Sequence, residues 1–168
     1  MAEKRLFAVD LGASGGKCFI GFFGDGTFRM EEVHRFAHEG VTPFLPGSDG
    51  AVRERAYWDD TYIYQNIVRG LQAARRQYGP VLDGIGIDTW GADGHLVTAD
   101  GDVLGKVYCY RDHRLDAMCD EVKARIDAEK VYAITGNHFQ PFNQSNQLLW
   151  LATRHPELLK LAKVYLPI

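Results

Sequence analysis

Between Asp10 and Lys17 the chain sets a carboxylate, the glycines Gly12, Gly15 and Gly16, the small residues Ala13 and Ser14, and an ammonium group. A glycine-rich turn lets backbone N–H groups come close to a phosphate, because glycine has no Cβ and takes positive φ freely. A carboxylate at the edge of such a turn repels the phosphate unless a cation stands between them. Asp10 is therefore a candidate for holding a hydrated Mg²⁺. The same pattern also suits a plain β-hairpin turn.

Two familiar phosphate loops do not fit. A P-loop needs four residues between its first glycine and the Gly-Lys pair, then Ser or Thr at the start of a helix. Here three residues separate Gly12 from Gly16, Lys17 is followed by Cys18, and Cys18–Phe23 reads as a strand. The G-x-G-x-x-G dinucleotide pattern is missing as well.

A second constellation lies in Gly84–Asp93, where an apolar strand ends in Asp88, Thr89, Trp90, Gly91 and Asp93. Ligands of open α/β sheets gather at the carboxyl ends of strands. An aromatic face beside carboxylates suits a sugar, with the ring against carbons and the acids accepting from hydroxyls. The bland alternative makes Trp90 core and Asp93 a turn residue. In Tyr110–Arg114, Arg111 and Asp112 are the better site candidates, while His113 and Arg114 read as a helix start with a local ion pair. The loop Phe139–Asn143 adds Gln140 and Asn143, whose amides suit hydroxyls, although Asn143 also suits a helix cap. The histidines have no metal-ligand spacing, and no zinc site is predicted.

These residues need elements to position them. Leu6–Leu11, Cys18–Phe23 and Phe28–Phe36 read as sequential strands, with Gly24-Asp25-Gly26 a tight turn. Residues 37–56 read as a surface loop. A helix starts after Trp58-Asp59 and buries Ile63, Ile67, Leu71, Ala74 and Tyr78 before Gly79-Pro80 stops it. Leu82–Asp88 is the next strand, and His95–Thr98 with Val103–Val107 a short hairpin. One helix is predicted from about Leu115 to Ile126, a short one over Asp127–Ile134, and a longer one over Gln144–Thr153. Leu161–Ile168 ends as a strand-like run.

The 168 residues are 46% apolar, enough for a globular core, and carry a net charge of −3. No basic block points to nucleic acid, and no apolar run reads as a signal peptide or membrane span. Cys18, Cys109 and Cys119 form no C-x-x-C pair, which points to buried thiols in a reducing cytoplasm.

Taken in order, the motifs resemble the N-terminal domain of the FGGY carbohydrate kinases. The resemblance rests on Asp10–Ser14, Gly86–Asp93, Tyr110–Asp112, Pro141–Asn143 and Gln147-Leu148, with Val33–Phe36 and Trp58-Asp59 also matching. It covers nearly the whole chain and is nearest to the members acting on L-rhamnulose. It implies an α/β, ribonuclease-H-like (actin-like ATPase) domain, a mixed sheet flanked by helices. It further implies a second such domain, with ATP and sugar in the cleft between them.

The implied reaction transfers the ATP γ-phosphoryl to a ketose hydroxyl, with Mg²⁺, giving L-rhamnulose 1-phosphate. L-fuculose or xylulose is the alternative substrate, and a non-catalytic actin-like binding module the alternative class. The resemblance assigns Asp10, Gly12, Ala13, Ser14, Gly15, Gly16 and Lys17 to ATP, with Asp10 reaching the metal through water. It sets Gly91, Trp90 and Asp93 near the sugar, and Asp88, Asp112, Gln140 and Asn143 are further candidates. The family's general base lies in the second domain, so no catalytic residue is expected in residues 1–168. The chain alone is expected to be inactive, its C-terminal domain being absent. The nearest members usually carry Ser and Arg where this chain has Gly15 and Lys17, and an aromatic and an apolar residue where it has Gly94 and His95.

Overall fold

The computed structural model describes residues 3–47 and 49–168. Alternating apolar residues make β1 (Lys4–Gly12), which buries Phe7, Val9 and Leu11 on one face and turns Leu6, Ala8 and Asp10 to the other. β2 (Gly15–Gly24) returns antiparallel along β1, and β3 (Thr27–Ala37) runs antiparallel along β2. Between β2 and β3, Asp25 and Gly26 have φ of 49° and 74°, the left-handed pair whose twist suits a two-residue hairpin. The short strands β4 (Gly40–Val41), β5 (Phe44–Pro46), β6 (Val52–Glu54) and β7 (Tyr57–Trp58) lead to α1 (Asp60–Tyr78) and β8 (Gly84–Asp88). β9 (Gly94–Val97), β10 (Val103–Leu104), α2 (Met118–Lys123) and α3 (Ala128–Thr135) follow. α4 (Gln144–Arg154), α5 (Pro156–Leu161) and β11 (Val164–Pro167) complete the order.

Two compact units emerge. One holds the described residues up to Glu39 together with Asp59–Trp90; the other holds Gly40–Trp58 and Gly91–Ile168. In the first, the sheet order is β3-β2-β1-β8, with β8 parallel to β1 and α1 as the crossover between them. Asp59 starts α1 by accepting from the Tyr62 amide at 3.0 Å. Ile63 and Ala74 then pack with Phe7, Val9, Leu11, Cys18 and Phe36, while Ile67 and Leu71 lie at the margin of this core. Burial pushes the Cys18 thiol up to about 11, with Glu32 adding to the shift, so it packs as an unreactive group.

Gly70 lets α1 sit this close to the sheet. A Cβ there would stand 2.5 Å from Cys18 Sγ and 2.8 Å from Cys18 Cβ. Overpacking of this kind costs about 1–3 kcal/mol, against about 1 kcal/mol of helix propensity gained by alanine. Gly70→Ala should therefore lower the thermal midpoint by a few degrees, and adding Cys18→Ala, which removes Sγ and leaves the Cβ contact, should recover part of that loss in the same melting experiment.

In the second unit β9 is central to the order β10-β9-β11, β4 pairs with β7, and β5 with β6. Leu115, Met118 and Trp150 form its apolar centre, with Tyr108, Leu149 and Leu151 packed around them.

Two expectations are corrected here. Residues 37–56 are not a plain loop but contain β4, β5 and β6. The helix expected from Leu115 to Ile126 is a single 3₁₀ turn, His113–Leu115, followed by the six-residue α2. The Asp112 side chain accepts from the Arg114 amide and starts the tight turn, and Ile126 at the far end stays 47% exposed, so it adds no packing to extend the helix.

Candidate functional site

In the first unit the glycine turn is positioned by the β1–β2 pairing, whose register ends in Gly12 opposite Gly15. Register also sets Lys17 opposite Asp10 on β2, and Asp88 opposite Asp10 on β8. Register partners show their side chains on one face of a sheet. Lys17, Asp10 and Asp88 therefore form a row across three strands, on the face away from α1. Lys17 Nζ lies 3.8 Å from Asp10 Oδ2, with both side chains about half exposed at 42% and 54%. Two carboxylates side by side with one ammonium group leave an excess of negative charge at the carboxyl ends of parallel strands. That is a donor set for a hydrated divalent cation. Among the described residues no group of three or more His, Cys, Asp or Glu could hold a metal ion.

The turn glycines are not equivalent. A Cβ on Gly15 would stand 2.6 Å from the Phe36 carbonyl oxygen, and one on Gly16 would collide with the Phe36 ring. Gly12 has room, with its nearest neighbour at 3.6 Å. Backbone cannot retreat as a side-chain end can, so Gly15→Ser should displace the turn from β3. We expect a lower thermal midpoint and faster amide exchange at residues 12–16, with Gly12→Ala close to the parent in both measurements.

Beyond Asp88 the Thr89 hydroxyl is buried with no hydrogen-bond partner among the described residues, a polar atom still able to bond a ligand or water. Trp90 packs against the core of this unit, and its ring centroid lies 5.8 Å from that of His38.

In the second unit Gly91 is exposed, with nothing within 4 Å of a hypothetical Cβ. The first turns of α4 hold the segment after it. Gln144 Nε2 donates to the Gly91 carbonyl at 3.2 Å, and Gln147 Nε2 to the Ala92 carbonyl at 2.5 Å. Asp93 is fully buried. Its Oδ2 accepts from Trp58 Nε1 at 2.7 Å and the Tyr110 amide at 3.0 Å, and its Oδ1 from Gln147 Nε2 at 3.1 Å.

Asp112 is buried too, accepting from the Ala56 amide at 2.7 Å and the Arg114 amide at 2.9 Å. Its Oδ1 lies 3.5 Å from Arg114 Nη1. Arg114 runs under the Tyr108 ring, 4.0 Å from its centroid, and donates to Gln147 Oε1 at 2.8 Å. Burial pulls its pKa down, opposed first by the Asp112 charge. His113 pairs instead with Asp116 at 3.0 Å on the surface. Asn143 stands at the N-cap of α4, yet its Nδ2 donates to the His138 carbonyl, and the Gln140 carbonyl accepts from Asn146 Nδ2.

The geometry thus joins Asp10, the glycine turn, Lys17 and Asp88 in one unit, with Trp90 packed on that unit's core. It gathers Gly91, Asp93 and Asp112 around α4 in the other. Gln147 and Arg114, which tie Asp93 to Asp112, are not among the sequence-based site candidates; the Gln147-Leu148 pair is the signal for the first and the polar cluster Tyr110–Arg114 for the second.

The sequence profile of the FGGY family of carbohydrate kinases, N-terminal domain, matches residues 41–168. This chain belongs to that family. It is 35% identical over 170 aligned positions to the rhamnulokinase of Mannheimia succiniciproducens, covering all of this chain and 33% of that protein. It is 36% identical to the rhamnulokinase of Oceanobacillus iheyensis, covering 99% of this chain and again 33% of the relative. The chain thus spans about a third of the length of these curated relatives.

Among solved structures, the gluconate kinase from Lactobacillus acidophilus superposes with a TM-score of 0.75 at 17% identity, over 98% of this chain and 31% of the other. The xylulose kinase from Rhodospirillum rubrum gives 0.74 at 17% identity, over 98% and 32%. These likenesses carry the fold alone: α/β, of the ribonuclease-H-like, actin-like ATPase kind. Against the family pattern, Gly94 has a physical reason. A Cβ there would stand 2.7 Å from the Leu166 carbonyl oxygen and from the Tyr165 ring, leaving no room for a larger residue.

Proposed function

We propose that this chain is the N-terminal part of an ATP-dependent sugar kinase that phosphorylates a ketose, L-rhamnulose before L-fuculose or xylulose. The observation that carries the reading is the row Lys17–Asp10–Asp88 beside a turn in which Gly15 and Gly16 have no room for a side chain. The rhamnulokinase relatives support the choice of sugar. Asp10, with Asp88 beside it, would hold a hydrated Mg²⁺, which when bound offsets the repulsion between these carboxylates and the nucleotide phosphates. Backbone N–H groups of Ala13–Lys17 would orient the phosphates, and the Lys17 ammonium would add charge without the bidentate fork of arginine.

Gly91, with Trp90 before it and Gln140 and Asn143 offering amides, would receive the sugar. Asp93 and Asp112 serve that side by holding the segments that carry these groups. The general base is assigned to a C-terminal domain outside residues 1–168, so phosphoryl transfer needs the longer protein. A cytoplasmic location, where ATP is available, and a role in rhamnose breakdown follow from the same reading.

Two measurements test it. The product of the complete reading frame, assayed for ADP release against a panel of ketoses with MgATP, should turn over L-rhamnulose fastest. Turnover of none of them would sink the kinase reading, and a faster rate on another ketose would reassign the sugar. In calorimetry the 168-residue chain alone should bind MgATP weakly, with half of the clamp missing; tight binding would count against the division of labour.

A further inference from the structure

His38 stands just past the end of β3 and is only 4% exposed. Its Nε2 lies 2.9 Å from the Gly12 carbonyl, and its backbone N–H donates to the Ser14 carbonyl at 3.1 Å. These are the two ends of the turn peptide that the proposed function assigns to phosphate. The imidazole ring also lies beside Trp90, with ring centroids 5.8 Å apart and planes 30° from parallel. Burial lowers the pKa of the ring below that of an ordinary histidine, opposed by the bond to Gly12, so it is neutral at pH 7 and carries one N–H. A carbonyl can only accept, which fixes that proton on Nε2.

We propose that His38 is a positioning residue that braces the phosphate turn through its Nε2–H and the Trp90 strand end through its ring. One side chain then sets the nucleotide-facing turn against the sugar-facing residue within the same unit. The inference rests on the kinase reading, and it separates the two contacts by chemistry. His38→Phe keeps a ring against Trp90 and removes the donor. His38→Gln keeps an N–H donor at the same reach and removes the ring.

In the product of the complete reading frame, His38→Phe should raise the KM for MgATP about tenfold, the scale of one lost hydrogen bond to a buried carbonyl, with the ketose KM unchanged. His38→Gln should leave the KM for MgATP near the parent value and raise that for the ketose several-fold. Amide exchange at residues 12–16, followed without nucleotide, should quicken in His38→Phe and not in His38→Gln. Equal effects of both variants on both constants, or no effect of either, would overturn the proposal. Should the parent protein phosphorylate no ketose, the kinase reading fails separately. The exchange pattern then decides alone whether His38 braces the turn, unequal exchange supporting it and equal exchange overturning it.

Discussion

Asp93→Ala should unfold the second unit at a far lower urea concentration than the parent chain, with a loss of about 3 kcal/mol or more. Three donors converge on this carboxylate: the Trp58 indole at 2.7 Å, the Tyr110 amide at 3.0 Å and the Gln147 amide at 3.1 Å. Asp93 is 0% exposed, so the pairing is made away from bulk solvent. Truncation removes the acceptor that the Trp58 indole and the Tyr110 amide use at this buried position. Each such group costs about 1–3 kcal/mol. Gln147 is less affected, because it also donates to the Ala92 and Phe142 carbonyls. Asp93→Asn keeps the shape and one accepting oxygen, so it should fall between parent and alanine variant. Trp58 and Trp150 lie in this unit and Trp90 in the other, so tryptophan fluorescence in a Trp90→Phe background follows its unfolding. A parent-like midpoint for Asp93→Ala would mean that the carboxylate does not anchor the strand end.

The first unit was largely legible in the sequence. Strict alternation over Leu6–Leu11, glycine at both hairpin turns and helical spacing after Asp59 are local signals, and each produced the element expected. Residues 37–56 were not legible, because strands of two or three residues are too short to show a period and glycine and proline interrupt them. The apolar stripe from Leu115 to Ile126 misled for a related reason. Periodicity reports which residues could face a core, while Asp112 locally favoured a 3₁₀ turn.

The candidate site follows the same division. The glycine turn and the Asp88–Asp93 segment are contiguous and could be read. The pairing of Asp10 with Asp88 depends on the register of a parallel strand beyond a 19-residue helix, which no local pattern encodes. His38 was invisible because its partners Gly12 and Trp90 come from distant elements. Asp93 was legible as a carboxylate of interest, but its burial depends on Trp58, Tyr110 and Gln147, drawn from three separate segments.

Asp10→Asn should reduce turnover by the product of the complete reading frame about 10- to 100-fold, the usual cost of losing a group that holds a metal through its outer shell. The folded chain should hardly notice. Asp10 and Lys17 are about half exposed, and an ion pair at that exposure is worth under about 1 kcal/mol. Removing the Asp10 charge also relieves its repulsion with Asp88 on the neighbouring strand. The two terms oppose each other, so the midpoint without nucleotide should stay near that of the parent. Among the described residues Asp88 forms no ion pair, so Asp88→Asn relieves repulsion and should stabilise the nucleotide-free chain by about 0.2–1 kcal/mol while weakening Mg²⁺ binding. Stability and activity thus move in opposite directions at Asp88 and separately at Asp10. Such a pattern is expected where like charges are held together for a cation and not for the fold. A magnesium titration of the three proteins makes the comparison. Both variants should need more Mg²⁺ for half-maximal rate, and unchanged titrations with parent-like turnover would remove Asp10 and Asp88 from the proposed metal site.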